Sequence, residues 1–389
     1  MAMKPGAVVI GGHYQGLGCV RALAVEGVRV ILLDSENSAG KLSRYVDRFY
    51  RCPSALEPER LLQFLMRLGE SRNLEGWVIF PTDDETVYFL ARHKSCLESV
   101  FKVTTPRWDI TRHAYDKTLT YRLAAKIGIP IPRTFYPRSA RDLEDPAIPF
   151  PAIVKPAVMR SFFRRTGKKV FPAGTRSELI DAYREACRII PPSEVLVQER
   201  IPDVARNLFS FSPFFKNGRV LGRVIVQRLR QHPVDFGHAT TCAVTVDEPE
   251  LERLGTRILD AMNFYGICEV EFIRDPRDRS FKFLEINPRI WGWHTIARRA
   301  GVNLPHLLYL DQTGETREID GYKKNIKWIR EITDVATAAA ELAKGRMKIG
   351  EYLASIRGEK ELAMFSLRDP LPFFGEMLRL PSLWKQRGF

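Results

Sequence analysis

The stretch AVVIGGHYQGLGCVRALAVEGVRVILLDSE, residues 7–36, restricts the fold more than any other part of the chain. An apolar run from Ala7 to Ile10 breaks at Gly11 and Gly12, a helix-compatible segment follows, and a second apolar run, Val28 to Leu33, ends at Asp34. Two strands separated by a helix need a crossover connection, and such units build parallel sheets covered on both faces. The pattern recurs in GWVIFPTDDETVYFLARH, where the short run Val78 to Phe80 stops at Pro81 and an acidic turn can start the next helix. Ligands of open α/β sheets sit outside the carboxyl ends of the strands, so PTDDE (81–85) is a candidate site loop. Asp83 or Asp84 serving only as a helix cap is the alternative.

Glycines 11, 12, 16 and 18, with Asp34 beyond them, resemble a dinucleotide fingerprint, which keeps an NAD(P)-dependent oxidoreductase as one competing class. The spacing is G-G-x-x-x-G-x-G, not G-x-G-x-x-G, so the tight phosphate turn is not reproduced. Backbone amides at the helix start could still receive an anion.

At 389 residues the chain has room for two or three domains, and 45% hydrophobic with 27% charged residues is ordinary for a globular protein. Six scattered cysteines without a C-x-x-C pair fit reduced thiols. No secretory signal or membrane-length apolar run is present, so a cytoplasmic location is expected. The net charge of +14 fits nucleic acid, an anionic membrane surface or polyanionic small molecules. Basic residues are spread along the chain with one cluster, RSFFRRTGKK (160–169), and no nucleic-acid-binding signature accompanies them. A nucleic-acid partner is therefore not expected, although a basic nucleic-acid or membrane-surface binding protein stays as the second competing class.

Beyond a border near residue 112, TPRWDITRHAYDKTLTYRLAAKIGIPIPRTFYP reads as helical up to Gly128. There follow a strand FPAIVKP ending in Lys155 and Pro156, the basic loop, a helix from about Ser177 to Ile189, and a strand EVLVQERIPD carrying Glu199. Strands at 208–215 and 219–230, a helix from about Pro249 to Met262, and a strand pair at 267–274 and 281–287 complete this part. Strand pairs alternating with helices predict an α+β region after the parallel α/β domain. The last segment, with a helix at DVATAAAELAKG and then DPLPFFGEMLRLPSLWKQRGF, reads as a packed C-terminal arm, or as one that meets a membrane surface or a partner.

The strand pair carries the chemistry. In FKFLEINPRIWGW, Glu285 and Asn287 share one strand face while Leu284 and Ile286 take the other. In CEVEF, Glu271 lies 14 residues before Glu285, across a short turn. On adjacent antiparallel strands Glu271, Glu285 and Asn287 can converge on one point, a set of hard oxygen donors suited to magnesium on nucleotide phosphates. Three exposed polar residues are the alternative reading. Trp291, Trp293 and His294 read as packing residues.

Glu-(13 residues)-Glu-x-Asn-Pro-Arg, preceded by a lysine-ended strand and a Gln-Glu strand end, resembles the ATP-grasp ligases over roughly residues 5–330. The phrases RLRQHPVDFG and LEINPRIWGWHTIARRAGVNLPHLLY are similar to the carboxylate-amine ligase branch that includes D-aspartate ligase-like enzymes. The resemblance implies a Rossmann-like pre-ATP-grasp domain at 1–112, a small lobe at 113–200, a large lobe with the metal site at 201–330, and a C-terminal helical arm at 331–389. It implies that Lys117, Lys155 and Lys169 face the phosphates of ATP, and that Glu199, Arg200 and Ile201 meet adenine. Glu271, Glu285 and Asn287 then bind Mg2+, with Mn2+ able to replace it. Arg289, Lys155 and Arg230 act on the reacting groups, and the strand VIVQRLRQHP looks like the one that brings Arg228 and Arg230 toward phosphate or substrate. The implied activity couples a small-molecule carboxylate, activated as an acyl phosphate, to an amine. Monomer and homodimer are both open. The glycine-rich flap of the family is replaced by AVMRSFFRRTGKKVF, in which Arg160, Lys168 or Lys169 could act as point charges.

Overall fold

The computed structural model describes residues 4–202, 204–232 and 239–387, without the side chains of residues 160, 161, 205 and 380–387. The described residues form three sheets. The first is parallel, with β1 (Ala7–Ile10), β2 (Val30–Asp34), β3 (Arg48–Arg51), β4 (Val78–Pro81) and β5 (Lys102–Val103) in the order β3-β2-β1-β4-β5. All residues of β1, β2 and β4 are buried, because helices cover both faces of a parallel sheet.

The glycine turn after β1 is a packing device. A Cβ on Gly16 would lie 1.8 Å from the Gly11 carbonyl oxygen, and one on Gly18 would lie 2.5 Å from the Thr295 side chain. The helix Tyr14–Ala24 can therefore sit close to its own strand and to the later segment around His294. Asp34 is buried, with Oδ2 accepting from the Gly12 amide at 2.7 Å and Oδ1 from the Glu36 amide at 2.7 Å. The carboxylate that a dinucleotide reading would place on a ribose is used to pin the turn.

The second sheet is antiparallel, with β6 (Thr134–Phe135), β7 (Ala152–Pro156), β8 (Phe171–Ala173) and β9 (Val195–Glu199) in the order β6-β9-β7-β8. The basic stretch read as a loop contains a helix, Met159–Thr166, capped by Gly167 in the left-handed region at φ 65°. Phe162 explains this helix: it is fully buried, with its ring 5.2 Å from that of Phe171. Arg164 and Arg165 in the last turn suit the negative end of the helix dipole.

The third sheet contains β10 (Leu208–Lys216), β11 (Arg219–His232), β12 (Ala239–Thr245), β13 (Gly266–Ile267), β14 (Glu269–Arg274), β15 (Phe281–Asn287), β16 (Lys327–Ile329) and β17 (Lys360–Leu362). Their order is β15-β14-β10-β11-β12-β16-β17, with β13 on β10. The region past residue 330 is thus not only helical, since β17 extends this sheet in parallel with β16. The helix Leu371–Arg387 is tied back to the first domain by buried Asp369, which accepts from Arg21 Nε at 2.9 Å, Ser43 Oγ at 2.7 Å and the Arg44 amide at 2.9 Å. The start of the arm is anchored in this way, while Leu371, Phe374, Met377 and Leu378 of its helix are exposed, so both readings of the arm stand. Among the described residues no helix is long and apolar enough to cross a membrane.

Candidate active site

A cavity of about 310 Å3 opens between the second and third sheets, beside Tyr14 and Gln15 at the start of the helix after β1. One end is apolar, walled by Ile153, Ile201, Leu208, Ile273 and Leu284 beside Glu199 and Arg200. The other is charged, walled by Lys117, Lys155, Lys169, Arg228, Glu269, Glu271, Glu285, Asn287 and Arg289. An apolar slot leading into converging charges suits a ligand with a flat base and an anionic tail.

Strand register builds the charged end. Glu271 pairs with Glu285 and Glu269 with Asn287, so all four side chains leave the same face of β14 and β15. The register shifts between Glu271 and Phe272, giving β15 one extra residue, Leu284, whose carbonyl accepts from Tyr121 Oη at 2.8 Å. Asn287 Nδ2 donates to Glu271 Oε1 at 3.0 Å and to Glu269 Oε2 at 3.1 Å. Arg228 Nη2 lies 3.1 Å from Glu271 Oε2, and Lys117 Nζ lies 2.8 Å from Glu285 Oε2.

These contacts set the charge states. Burial works against the Lys117 ammonium, but the Glu285 carboxylate outweighs it and raises the lysine above its usual range. Burial likewise opposes ionisation of Glu285, yet Lys117 and Lys169 hold its carboxyl far below the ordinary value. Lys155 is 8% exposed and donates to Tyr121 Oη at 2.6 Å and Gln198 Oε1 at 2.7 Å. Burial first, and Lys117 second, bring it down to about 7. Lys169 is also lowered, chiefly by burial. Glu269 is 4% exposed and pushed up to about 8 by burial and by Glu271.

Glu199 closes the apolar end. Its Oε1 accepts from the Arg133 amide at 2.9 Å and its Oε2 from Arg277 at 2.8 Å, while Lys282 lies 3.3 Å away. Burial opposes the charge of Glu199, but these donors keep its carboxyl below the usual range.

Ten of the eleven expected site residues, Lys117, Lys155, Lys169, Glu199, Arg200, Ile201, Glu271, Glu285, Asn287 and Arg289, line this cavity. Arg230 does not. Strand alternation would put Arg228 and Arg230 on one face, but the register of β11 against β12 shifts between them and turns Arg230 away. Its guanidinium is buried against Asp334 at 2.8 Å and lies over the Tyr352 ring at 5.1 Å. Arg228, expected beside it from the same strand, does line the cavity. Of the basic residues of the 160–169 stretch, Lys169 reaches the cavity, Lys168 lies over the Phe171 ring at 5.4 Å, and the Arg160 side chain is outside the described residues. Residues 233–237 of RLRQHPVDFG are also outside them.

Glu269, Gln198, Gln231, Tyr14 and Gln15 also line the cavity and were not singled out by sequence. Glu269 had a visible signal in its alternation with Glu271 in CEVEF, and Gln198 in the Gln-Glu strand end. Trp291 and Trp293 are buried, as expected of packing residues, and also wall the cavity; His294 is buried behind them with Nδ1 2.7 Å from the Trp291 carbonyl.

Among the described residues no three His, Cys, Asp or Glu side chains are grouped to hold a metal alone. Two carboxylates and an amide oxygen facing cationic side chains fit magnesium, which takes few protein ligands and completes its shell with phosphate and water oxygens.

Residues 211–335 match the family model described as ATP-grasp in the biosynthetic pathway with Ter operon. The mitochondrial acetyl-CoA carboxylase of Saccharomyces cerevisiae is 30% identical over 148 residues, 36% of this chain and 6% of that protein. The chain thus spans a small fraction of that curated relative. The crystal structure of the L-amino acid ligase from Bacillus licheniformis superposes with a TM-score of 0.63 at 16% identity, covering 81% of this chain and 76% of that one. The biotin carboxylase domain of Hydrogenobacter thermophilus 2-oxoglutarate carboxylase, complexed with MgADP, ADP and bicarbonate, gives 0.63 at 16% identity, covering 84% and 74%. Residues 211–335 are thus similar to an ATP-grasp family model, and the fold of the chain is that of these two solved structures.

Proposed function

We propose that this chain is an ATP- and magnesium-dependent ligase of the carboxylate-amine type, in the branch that includes D-aspartate ligase-like enzymes. The observation that carries the reading is the convergence of Glu271, Glu285 and Asn287 with Lys117 and Lys155 on one cavity. The apolar end beside Glu199, Arg200 and Ile201 takes the adenine, with residues 113–200 as the small lobe and 201–330 as the large lobe. Residues 1–112, through Tyr14 and Gln15, wall the substrate end.

Phosphoryl transfer needs positioning and charge neutralisation more than covalent help from the protein. Glu271, Glu285 and Asn287 would hold magnesium, which would supply charge neutralisation on the phosphates. Lys117 is free to turn from Glu285 to a phosphate oxygen once a cation takes over the carboxylate. Lys155 and Lys169, each lowered by burial, become fully charged beside a triphosphate. Arg289 holds the carboxylate whose oxygen attacks the γ-phosphorus; ADP leaves, and the acyl phosphate is then attacked by the amine with release of phosphate. The six unpaired cysteines support a cytoplasmic setting.

The test is ADP and phosphate release by purified protein with ATP, magnesium and panels of carboxylates and amines, with products identified by mass. An amide formed in step with ADP is the expected result. Phosphate release supported by bicarbonate alone, with no organic carboxylate, counts against this reading.

A further inference from the structure

The helix Leu371–Arg387 has an outer face that the ligase reading leaves unused. Its inner side is fixed to the rest of the chain. Gly375 packs so close to the short turn of helix Ala39–Leu42 that a Cβ there would collide with the Leu42 side chain. Glu376 is buried and pairs with Arg330, whose guanidinium lies 3.8 Å from the centre of the Tyr14 ring. The opposite side carries Leu371, Phe374, Met377 and Leu378 at i, i+3, i+6 and i+7, so these four share about a third of the helix circumference. All four are exposed, Leu378 by 85%, and Leu367 just before the helix is 87% exposed. Large apolar side chains gathered on one face mark an interaction site, where single ones would need no explanation.

Charge selects the occupant. Between residues 363 and 389 the acids are Asp369 and Glu376, and both are buried in ion pairs, with Arg21 and Arg330. The basic residues of the same stretch are Arg368, Arg379, Lys385 and Arg387. Arg368 is exposed next to Leu367, and exposed Arg44 sits beside it, with Nη1 3.5 Å from the Arg368 carbonyl. An apolar helix face with cations exposed beside it and its acids turned inward fits a surface that is apolar just beneath a layer of negative charge. A second copy of the chain fits less well, because a twofold contact through this face sets Arg44 and Arg368 against their own copies. No described helix is long and apolar enough to cross a membrane, so this one would lie in the plane of the surface.

We propose that Leu371, Phe374, Met377 and Leu378 dock this protein on an anionic lipid surface, with the helix lying at the level of the headgroups. The contacts of Gly375 and Glu376 present the face without lipid, so docking needs no rearrangement of the arm. The inference stands independently of the ligase reading.

The test is flotation of full-length protein with vesicles of phosphatidylcholine alone and of phosphatidylcholine mixed about equally with phosphatidylglycerol. The parent should partition onto the anionic vesicles at least about tenfold more strongly than onto the neutral ones, and raised salt should weaken that binding. Leu371→Ser combined with Phe374→Ser and Leu378→Ser should reduce partitioning by at least about tenfold with an unchanged Tm, since all three side chains are exposed. Arg44→Glu with Arg368→Glu, which leaves the apolar face intact, should cut the preference for anionic vesicles by at least about fivefold. No partitioning by the parent, equal partitioning onto both vesicles, or a triple variant that folds and partitions like the parent overturns the proposal. So does a concentration-dependent dimer, seen by light scattering in the parent and lost in the triple variant, without vesicle binding: the face then belongs to a second copy of the chain.

Discussion

Glu271 and Glu285 stand directly opposite each other on neighbouring antiparallel strands, one held by Arg228 at 3.1 Å and the other by Lys117 at 2.8 Å. Two like charges so placed are tolerable because each has its own cation. In the proposed ligase the same cations would be available to phosphate once a divalent ion occupied the carboxylates.

Glu285→Gln should lower ADP release by about a hundred- to a thousandfold, the usual loss for one preorganised electrostatic contact. Circular dichroism should show the fold retained. Turnover within about twofold of the parent would remove Glu285 from the reacting site.

The pH dependence of stability should report Lys155. Its value in the folded chain is about 7, against roughly 10.4 for an unfolded lysine. Between these limits the unfolded chain binds more protons, so stability rises with pH across that window; below it the full cost of burying the charge is present. Lys155→Met should flatten the rise of Tm between about pH 7 and 10. Parallel Tm profiles for parent and variant would contradict the assignment.

Arg230→Ala should act on stability and not on chemistry. Its partner Asp334 is 0% exposed and would be left as an unpaired buried charge. Urea denaturation should show a loss of about 3–5 kcal/mol, with kcat/KM per folded molecule unchanged.

Asp34→Asn separates the pinned glycine turn from a dinucleotide site. Its carboxylate accepts from the Gly12 and Glu36 amides, and replacing it weakens two charge-assisted hydrogen bonds. The expected result is a lower Tm with no quenching of NADH fluorescence in either parent or variant. Quenching by the parent that the variant loses would restore the oxidoreductase reading.

The strands were legible where apolar runs are bounded by turn residues: β1 and β15 were read to the residue, and β7 and β9 from their lysine and glutamate ends. Convergence of Glu271 with Glu285 and Asn287 followed from alternation and one short turn. Arg230 did not follow, because a bulge inverts alternation and leaves no local signature in a basic, apolar strand. The helix Met159–Thr166 was hidden by its charge, since Phe162 and its contact with Phe171 give it an apolar face only in tertiary context. β17 is three residues long and belongs to the sheet only through a long-range parallel pairing with β16. Arg289 pairs with Asp84 of PTDDE, but the two are 205 residues apart in the chain, so nothing in either segment announces the other.

The measurement closest to the central claim is titration of the chain with a nonhydrolysable ATP analogue, with and without magnesium, in the parent and in Glu271→Gln and Glu285→Gln. The account predicts that magnesium tightens binding by at least about tenfold in the parent, and that this increment is lost in both variants while metal-free binding persists. Nucleotide affinity indifferent to magnesium, or a magnesium increment that survives both substitutions, would contradict it.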